Sequence, residues 1–182
     1  MRLPELSHQN VLLRNAKPSD IDDRFQIGRH HEFVHMCGGE SLERPDYPPR
    51  SAWESWYENR KNAEYSWVID VDGRCVGTAG FHQISKEDNS ARYRIGIFDP
   101  ALYGRGIGTA VTMLLLQYGF ETMGLHRIDL KVLDYNHRAI RCYEKCGFQR
   151  EGVLRESAYI EGKYYADILM GILDWEFKKK FL

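Results

Sequence analysis

Residues 134–148 read DYNHRAIRCYEKCGF, and this stretch constrains the fold and the chemistry more than any other part of the chain. Asn136 is placed to cap a helix, and Gly147 followed by Phe148 is typical of a helix end with its hydrophobic contact. Asn136 and Tyr143 then share one helical face about two turns apart, roughly 10 Å along the axis. One long, thin ligand could touch both side chains, although a capping asparagine and a half-buried tyrosine would give the same pattern.

A second motif lies upstream, where residues 103–109 read YGRGIGT with three alternate glycines. Alternate glycines let the backbone turn tightly and approach a ligand closely. The apolar spacing that follows predicts a helix, whose free N–H groups at its start would favour an anion such as a pyrophosphate. Arg105 could add positive charge and the Thr109 hydroxyl a hydrogen bond. An ordinary glycine-rich turn is the structural alternative.

The glycine motif differs from two familiar phosphate-binding loops. A dinucleotide-binding fold needs G-x-G-x-x-G directly after its first strand, whereas here Thr109 stands three residues after Gly106 and several predicted strands come first. A P-loop needs Gly-Lys followed by Ser or Thr, which is absent from the motif. The pyrophosphate would therefore belong to another kind of cofactor site.

Hydrophobic periodicity and turn residues predict the order of the elements. The predicted strands are 11–15, 65–71, 75–84, 91–98, 126–133 and two more between 152 and 173. The predicted helices are 18–35, 51–62, 106–123 and 136–147, with a proline-rich connection at 44–50. Asp72-Gly73 is a strong hairpin signal between two of the strands. This order describes a mixed α/β sheet with helices on both faces, in a single domain over residues 1–182.

The two motifs together resemble the GNAT N-acetyltransferase superfamily. The glycine motif is similar to its (Arg/Gln)-x-x-Gly-x-(Gly/Ala) pattern, and residues 136–148 match its N-x-x-A-I-x-x-Y-E-K-x-G-F signature at every specified position. The resemblance covers residues 11–173 and is closest to the bacterial ribosomal-protein and diamine (spermidine) N-acetyltransferase branch. It implies a single-domain GNAT fold, with a mixed, mostly antiparallel twisted sheet, a central splay and helices on both faces.

The resemblance also implies acetyl-CoA as cosubstrate, lying in a cleft between strands 91–98 and 126–133. Backbone amides of the glycine motif would bind its pyrophosphate, the residues concerned being Tyr103, Gly104, Arg105, Gly106, Ile107, Gly108 and Thr109. Backbone groups of Ile97 and Phe98 would hold the pantetheine arm and polarise the thioester carbonyl. Asn136 would hydrogen-bond CoA, and Tyr143 would protonate the leaving thiolate.

These implied roles agree with the chemistry of direct attack. When an amine attacks a thioester, negative charge develops on the carbonyl oxygen and then on the sulfur. A fixed backbone N–H can stabilise the first charge. A phenol, with an ordinary pKa of about 10, can supply a proton to the second.

Two positions depart from the family pattern. Tyr103 replaces the usual Arg or Gln, which matters little if the loop binds through backbone N–H groups. Arg94 stands where many relatives carry a glutamate general base, and an arginine cannot serve as that base. His82, at the end of the adjacent strand, is a candidate base because imidazole titrates near neutral pH, although an ordinary strand-end histidine fits the sequence as well. Arg94 could instead bind a carboxylate of the substrate.

A rival motif lies at residues 31–35, which read HEFVH and match the H-E-x-x-H pattern of zinc metallohydrolases. On a helix, His31 and His35 share a face and could bind zinc, with Glu32 as base. The third histidine of the longer zinc pattern is replaced by Ser41. Zinc hydrolysis is therefore the less favoured alternative, and the preferred interpretation places Glu32 beside the acceptor pocket with no metal.

Charge suggests which amine is accepted. Between His30 and Asp72 the acidic residues outnumber the basic ones: Glu32, Glu40, Glu43, Asp46, Glu54, Glu58, Glu64, Asp70 and Asp72 against Arg44, Arg50, Arg60 and Lys61. Acidic walls would attract polyamines or a peptide N-terminus, but a solvated helix face would look the same. Polyamine, protein N-terminus, aminoglycoside and amino sugar all stay open as acceptors.

Composition sets the remaining expectations. A net charge of -1 argues against nucleic acid as partner, and neither a signal peptide nor a membrane span is seen. Four cysteines without disulfide-scaffold density fit a reducing, cytoplasmic setting, and Cys142 and Cys146 are expected to be small core residues. Dimers are common in the resembling branch, which leaves a homodimer open. A CoA-binding sensor without catalysis is the alternative that Arg94 supports.

Overall fold

The structure is a computed structural model that describes residues 2–39 and 48–181. In chain order the main elements are β1 (Leu6–His8), β2 (Val11–Arg14), α1 (Asp20–Ile27), α2 (His31–Met36), α3 (Arg50–Arg60), β3 (Ser66–Val71), β4 (Arg74–Ser85), β5 (Ser90–Ile97), α4 (Ile107–Gln117), β6 (Arg127–Leu133), α5 (His137–Lys145), β7 (Gln149–Ile160), β8 (Lys163–Leu173) and α6 (Asp174–Phe181). A 3-10 turn, Pro100–Leu102, precedes the glycine motif. Most of the predicted connection 44–50 lies outside the described residues, together with Glu40, Ser41, Glu43, Arg44 and Asp46.

The chain divides into two compact units, and both β4 and β5 contribute residues to each. The first unit comprises Met1–Gly80 and Ile95–Ile107, and the second comprises Phe81–Arg94 and Gly108–Leu182. The eight strands are hydrogen-bonded in the order β1-β2-β3-β4-β5-β6-β8-β7. The pairs β1–β2, β2–β3, β3–β4, β6–β8 and β7–β8 are antiparallel and the pair β5–β6 is parallel, which confirms the predicted mixed α/β sheet.

The first unit is built on an antiparallel meander in which all six residues of β3 are buried. Asp72 and Gly73 join β3 to β4 with φ values of 52° and 85°, the two positive values that a type I′ turn needs, so the predicted hairpin is confirmed. Arg14 of β2 is buried and donates hydrogen bonds of 2.7 Å to both Asp20 and Asp70. This ion cluster fixes β2, α1 and β3 to one another.

In the second unit, β8 lies between β6 and β7 and pairs with both. The parallel pairing of β5 with β6 is limited to Ser90–Arg92 opposite Arg127–Asp129, whereas β6 pairs with β8 as far as Leu133. The early end of the parallel pairing is the central splay that the family resemblance implies. The α4 helix is apolar on most sides and has buried positions at Val111, Thr112, Leu115 and Leu116.

Four elements differ from the predicted ones. The helix predicted at 18–35 is two helices, because Gly28 has φ 71° and ψ −152° and ends α1 at Ile27. The end of the helix predicted at 106–123 widens into a π-helical turn, Tyr118–Thr122. The prediction missed the three-residue β1 and the C-terminal α6, whose short sequences carry little periodicity. No helix in residues 2–39 and 48–181 is long and apolar enough to span a membrane.

Candidate functional site

The glycine motif adopts the backbone conformation that its sequence predicts. Gly104 and Gly106 have φ values of 76° and 82°, in the left-handed region, and a Cβ added at either residue would meet nothing within 4 Å. Glycine is therefore required by the backbone conformation and not by crowding. Gly104, Arg105 and Gly106 are exposed, and α4 begins immediately after them at Ile107. The N-terminal end of this helix is thus placed to meet an anion.

Tyr103, which departs from the family pattern, has a structural role within the first unit. Its hydroxyl donates a 3.0 Å hydrogen bond to the carbonyl of Ile97, which ties the start of the glycine motif to the end of β5. No sequence pattern indicated this contact, because the two partners are six positions apart and only the fold brings them together. Tyr103 therefore supports the loop through its side chain.

Glycines let β4 and β5 approach closely beside Ile97 and Phe98. A Cβ on Gly77 would lie 2.4 Å from the carbonyl oxygen of Gly96, so only glycine fits there. The Phe98 N–H donates to the carbonyl of Val76 at 2.8 Å. A pantetheine arm that used the Phe98 N–H would have to replace this bond.

Asn136 caps α5 in the second unit. Its side-chain oxygen accepts a 3.2 Å hydrogen bond from the N–H of Ala139, the geometry of an N-cap. The capping interpretation is therefore confirmed. A role toward CoA stays a prediction and would be additional to capping.

Tyr143 has a ring fixed by other aromatic rings. It is 8% exposed and meets Tyr93 edge to face, with ring centroids 6.2 Å apart and planes at 90°. Phe148 packs against it at 5.8 Å. The phenol is thereby restricted to a narrow range of orientations.

Tyr93 is itself held by a buried hydrogen-bond chain. The Thr112 hydroxyl donates to the Gly108 carbonyl at 2.7 Å, which uses its only proton, so the Tyr93 hydroxyl donates to Thr112 across 3.0 Å. Burial raises the pKa of Tyr93 well above its ordinary value and keeps it a neutral donor. The chain connects the first turn of α4 to the ring that packs on Tyr143, and nothing in the sequence pattern indicated it.

Both thiols of α5 contact Thr109, the last residue of the glycine motif. The Cys142 sulfur lies 3.4 Å from the Thr109 hydroxyl, and the Cys146 thiol donates to the Thr109 carbonyl at 3.8 Å. The pairing with Cys146 lowers the pKa of Cys142, while the same pairing and burial raise the pKa of Cys146. Cys146 is a buried core residue as predicted, and Cys142 is half-buried.

His82 lies in the second unit, together with the arginines that influence its protonation. Partial burial is the largest cause that lowers the pKa of His82. The positive charges of Arg94 and Arg92 lower it further, and the carboxylate of Asp129 acts in the opposite direction. A lowered pKa leaves the imidazole neutral at neutral pH and able to accept a proton. Arg94 is exposed.

The rival zinc motif forms a short helix. His31 and His35 share a face of α2 and their rings are stacked, with centroids 6.0 Å apart and planes at 12°. Glu32 is exposed. Among residues 2–39 and 48–181 there is no group of three or more His, Cys, Asp or Glu placed to hold a metal ion.

Comparison with known proteins relates the chain to acetyltransferases. The family model described as "Acetyltransferase (GNAT) domain" matches residues 10–149. The chain is 26% identical over 180 residues to the SPbeta prophage-derived uncharacterized N-acetyltransferase YokL of Bacillus subtilis (strain 168), with 93% of each chain covered. It is 31% identical over 115 residues to the spermidine N(1)-acetyltransferase of Escherichia coli (strain K12), covering 63% of this chain and 61% of that protein.

A solved structure shows the same fold. The crystal structure of spermidine N-acetyltransferase from Vibrio cholerae in complex with CoA and spermine matches with a TM-score of 0.75 at 24% identity, covering 94% of this chain and 99% of that chain. The family model spans most of the chain and includes both motifs that carry the resemblance. The chain therefore belongs to the acetyltransferase (GNAT) domain family and is an acetyl-CoA-dependent N-acetyltransferase.

Proposed function

We propose that this protein moves the acetyl group of acetyl-CoA to a primary amine by direct attack on the thioester, with Tyr143 as the general acid. The observation that carries the proposal is the fixed phenol of Tyr143, buried on the signature helix α5 and oriented by Tyr93 and Phe148. A proton donor in a fixed position can meet the charge that develops on a leaving thiolate.

The glycine motif would bind the cofactor's pyrophosphate. Gly104 and Gly106 give the loop its left-handed turns, and the start of α4 supplies N–H groups and the positive end of a helix dipole. Arg105 is exposed within the loop and adds charge. Ile97 and Phe98 would contribute backbone groups to the pantetheine arm, and Asn136 a hydrogen bond to CoA.

His82 would serve as the general base that the family pattern lacks here. Its lowered pKa fits the task, because a base must be unprotonated at the working pH. Arg94, in the position of the usual glutamate, would act by keeping His82 neutral and by attracting an anionic part of the substrate. Glu32 is exposed on α2 and would line the acceptor side.

The acceptor is a primary amine of a class that the family allows, such as a polyamine or the N-terminus of a peptide. The similarity to spermidine N(1)-acetyltransferase of Escherichia coli supports a small amine. We further propose that residues 1–182 form one catalytic domain, since the family match runs without interruption through residues 10–149. A CoA-binding sensor is the second candidate, favoured only by Arg94.

The test uses Tyr143→Phe, which keeps the ring and removes the hydroxyl. Loss of a general acid should lower kcat by about 100-fold, while calorimetry should still show one acetyl-CoA bound with unchanged affinity. Tyr159→Phe, at an exposed tyrosine of β7, is the matched control and should behave as wild type. Unaltered turnover by Tyr143→Phe would exclude Tyr143 as the acid. Acetyl-CoA binding without turnover of any amine by wild type would instead favour the sensor.

A further inference from the structure

Arg24 of α1 is a buried cation surrounded by aromatic rings. Its side chain belongs to the first unit and the residue is 4% exposed. The guanidinium carbon lies 3.6 Å from the centroid of the Phe98 ring, 4.3 Å from that of Trp53 and 6.0 Å from that of Trp56. Aromatic faces attract a guanidinium and account for its presence among apolar side chains.

The rings do not satisfy the hydrogen-bond donors of Arg24. In the described part of the chain, the buried Nε and Nη1 atoms have no hydrogen-bond partner, and neither does the buried indole Nε1 of Trp53. Arg14, which is equally buried, donates to Asp20, Asp70 and the carbonyl of Asn15. The contrast is informative, because an unpaired buried donor destabilises the fold, and more so when it is charged.

Arg24 also keeps its charge. Burial lowers the pKa of Arg24 to about 10, which leaves it protonated at neutral pH. A positive charge with open donors, beside an open indole donor, is suited to an oxyanion from outside the chain. A carboxylate fits best, since guanidinium and carboxylate form short, charge-assisted hydrogen bonds.

The position of Phe98 relates this cluster of Arg24 and aromatic rings to the proposed reaction. Phe98 gives one ring face to Arg24, and it directly follows the end of β5, in the segment that we assign to the pantetheine arm. We infer that Arg24 and Trp53 bind the carboxylate of the acceptor, so that the acceptor is an amine that also carries a carboxylate, such as an amino acid or a short peptide. This inference rests on the proposed function and narrows its range of acceptors.

A polyamine would suit this cluster of donors poorly. Its second ammonium would face a guanidinium of like charge and would leave all three donors unpaired. The inference therefore separates this chain from relatives that are named for spermidine.

The experiment compares three acceptors of equal length: 4-aminobutanoate, 4-aminobutanamide and 1,4-diaminobutane, with glycylglycine and its amide as a second pair. Release of CoA thiol gives kcat/KM for each. Wild type should prefer each carboxylate over its amide and over the diamine by about tenfold or more, because a site built to bond a group rejects analogues that lack it. In Arg24→Met the ratio of carboxylate to diamine should fall to about one.

Two control variants distinguish a carboxylate preference due to Arg24 and Trp53 from general effects of charge and folding. Arg74→Gln removes an exposed arginine of the same unit, 58% exposed at its side chain, and should keep the wild-type ratio. Trp53→Phe keeps a ring but loses the indole N–H, and it should reduce the carboxylate preference if Arg24→Met does not fold. Equal use of diamine and aminobutanoate by wild type, or an unchanged ratio in Arg24→Met, would overturn the inference.

A binding measurement distinguishes failure of the inferred carboxylate site from failure of the proposed acetyl transfer. Tryptophan fluorescence, followed during titration with 4-aminobutanoate, should change in wild type and not in Arg24→Met. Such binding without acetylation of any amine would keep the oxyanion site and refute the proposed transfer. Absence of this binding, with amines still acetylated, would refute the site and keep the transfer.

Discussion

His82 shows how burial and neighbouring charges together set the protonation of a side chain. Burial lowers the pKa of the imidazole most, and Arg94 and then Arg92 lower it further. If His82 is the base, the rate rises with pH as the imidazole loses its proton. Arg94→Gln removes a positive charge, so the pKa of His82 should rise and the acid limb of the kcat/KM profile should move to higher pH.

The direction of that shift is the diagnostic result. A raised pKa leaves more His82 protonated below neutral pH. The rate of Arg94→Gln should therefore fall on the acid side of the profile and still reach a plateau at high pH. Arg94→Lys keeps the charge and serves as the matched control, with the acid limb unmoved. An acid limb that persists at the same pH in His82→Gln would show that another group is the base.

At the scale of elements, the glycine motif depends on backbone conformation. Gly106→Ala places a Cβ on a residue with φ 82° but in open space, so its cost is strain of about 1 kcal/mol. If the loop binds pyrophosphate through its amides, the backbone shift that relieves this strain should displace those amides. Acetyl-CoA binding should then weaken about tenfold. Calorimetric titration with acetyl-CoA measures the change.

Gly162 offers a close control for this loop. It lies in the turn between β7 and β8, also with φ 82° and with nothing within 4 Å of a built Cβ. Gly162→Ala should therefore lose the same stability in a denaturant titration while binding acetyl-CoA normally. Equal acetyl-CoA affinities in the two variants would mean that the glycine conformation of the motif is not needed for the cofactor.

The elements also show what the sequence could predict. Turn and cap signals are local, so Asp72-Gly73 and the Asn136 cap follow from neighbouring residues alone. The Tyr93–Thr112 hydrogen bond joins residues 19 positions apart, and the stacking of Arg24 on Phe98 joins residues much farther apart in the chain. No periodicity reports such pairs, because the fold brings them together.

At the scale of the whole molecule, a sequence pattern is equally unable to show which charged residues are buried. The acid surplus between His30 and Asp72 suggested a surface that attracts cations, yet Asp70 is buried and bound to Arg14. Asp70 therefore belongs to the core of the first unit and adds nothing to an acceptor pocket. A count of charges along a chain does not separate buried ion pairs from exposed acids.

The last prediction concerns the stability that the buried cluster of Arg14, Asp20 and Asp70 contributes. Asp20 is 0% exposed and accepts two hydrogen bonds from the Arg14 guanidinium and one from the N–H of Lys17. Asp20→Asn removes the negative charge and leaves Arg14 buried with one carboxylate, so the free energy of unfolding should fall by about 3 kcal/mol. Asp72→Asn is the control, because this exposed turn residue has φ 52°, which asparagine adopts readily, and the variant should unfold like wild type. A urea titration followed by circular dichroism measures both, and a loss below about 1 kcal/mol for Asp20→Asn would show that the second carboxylate alone holds the arginine.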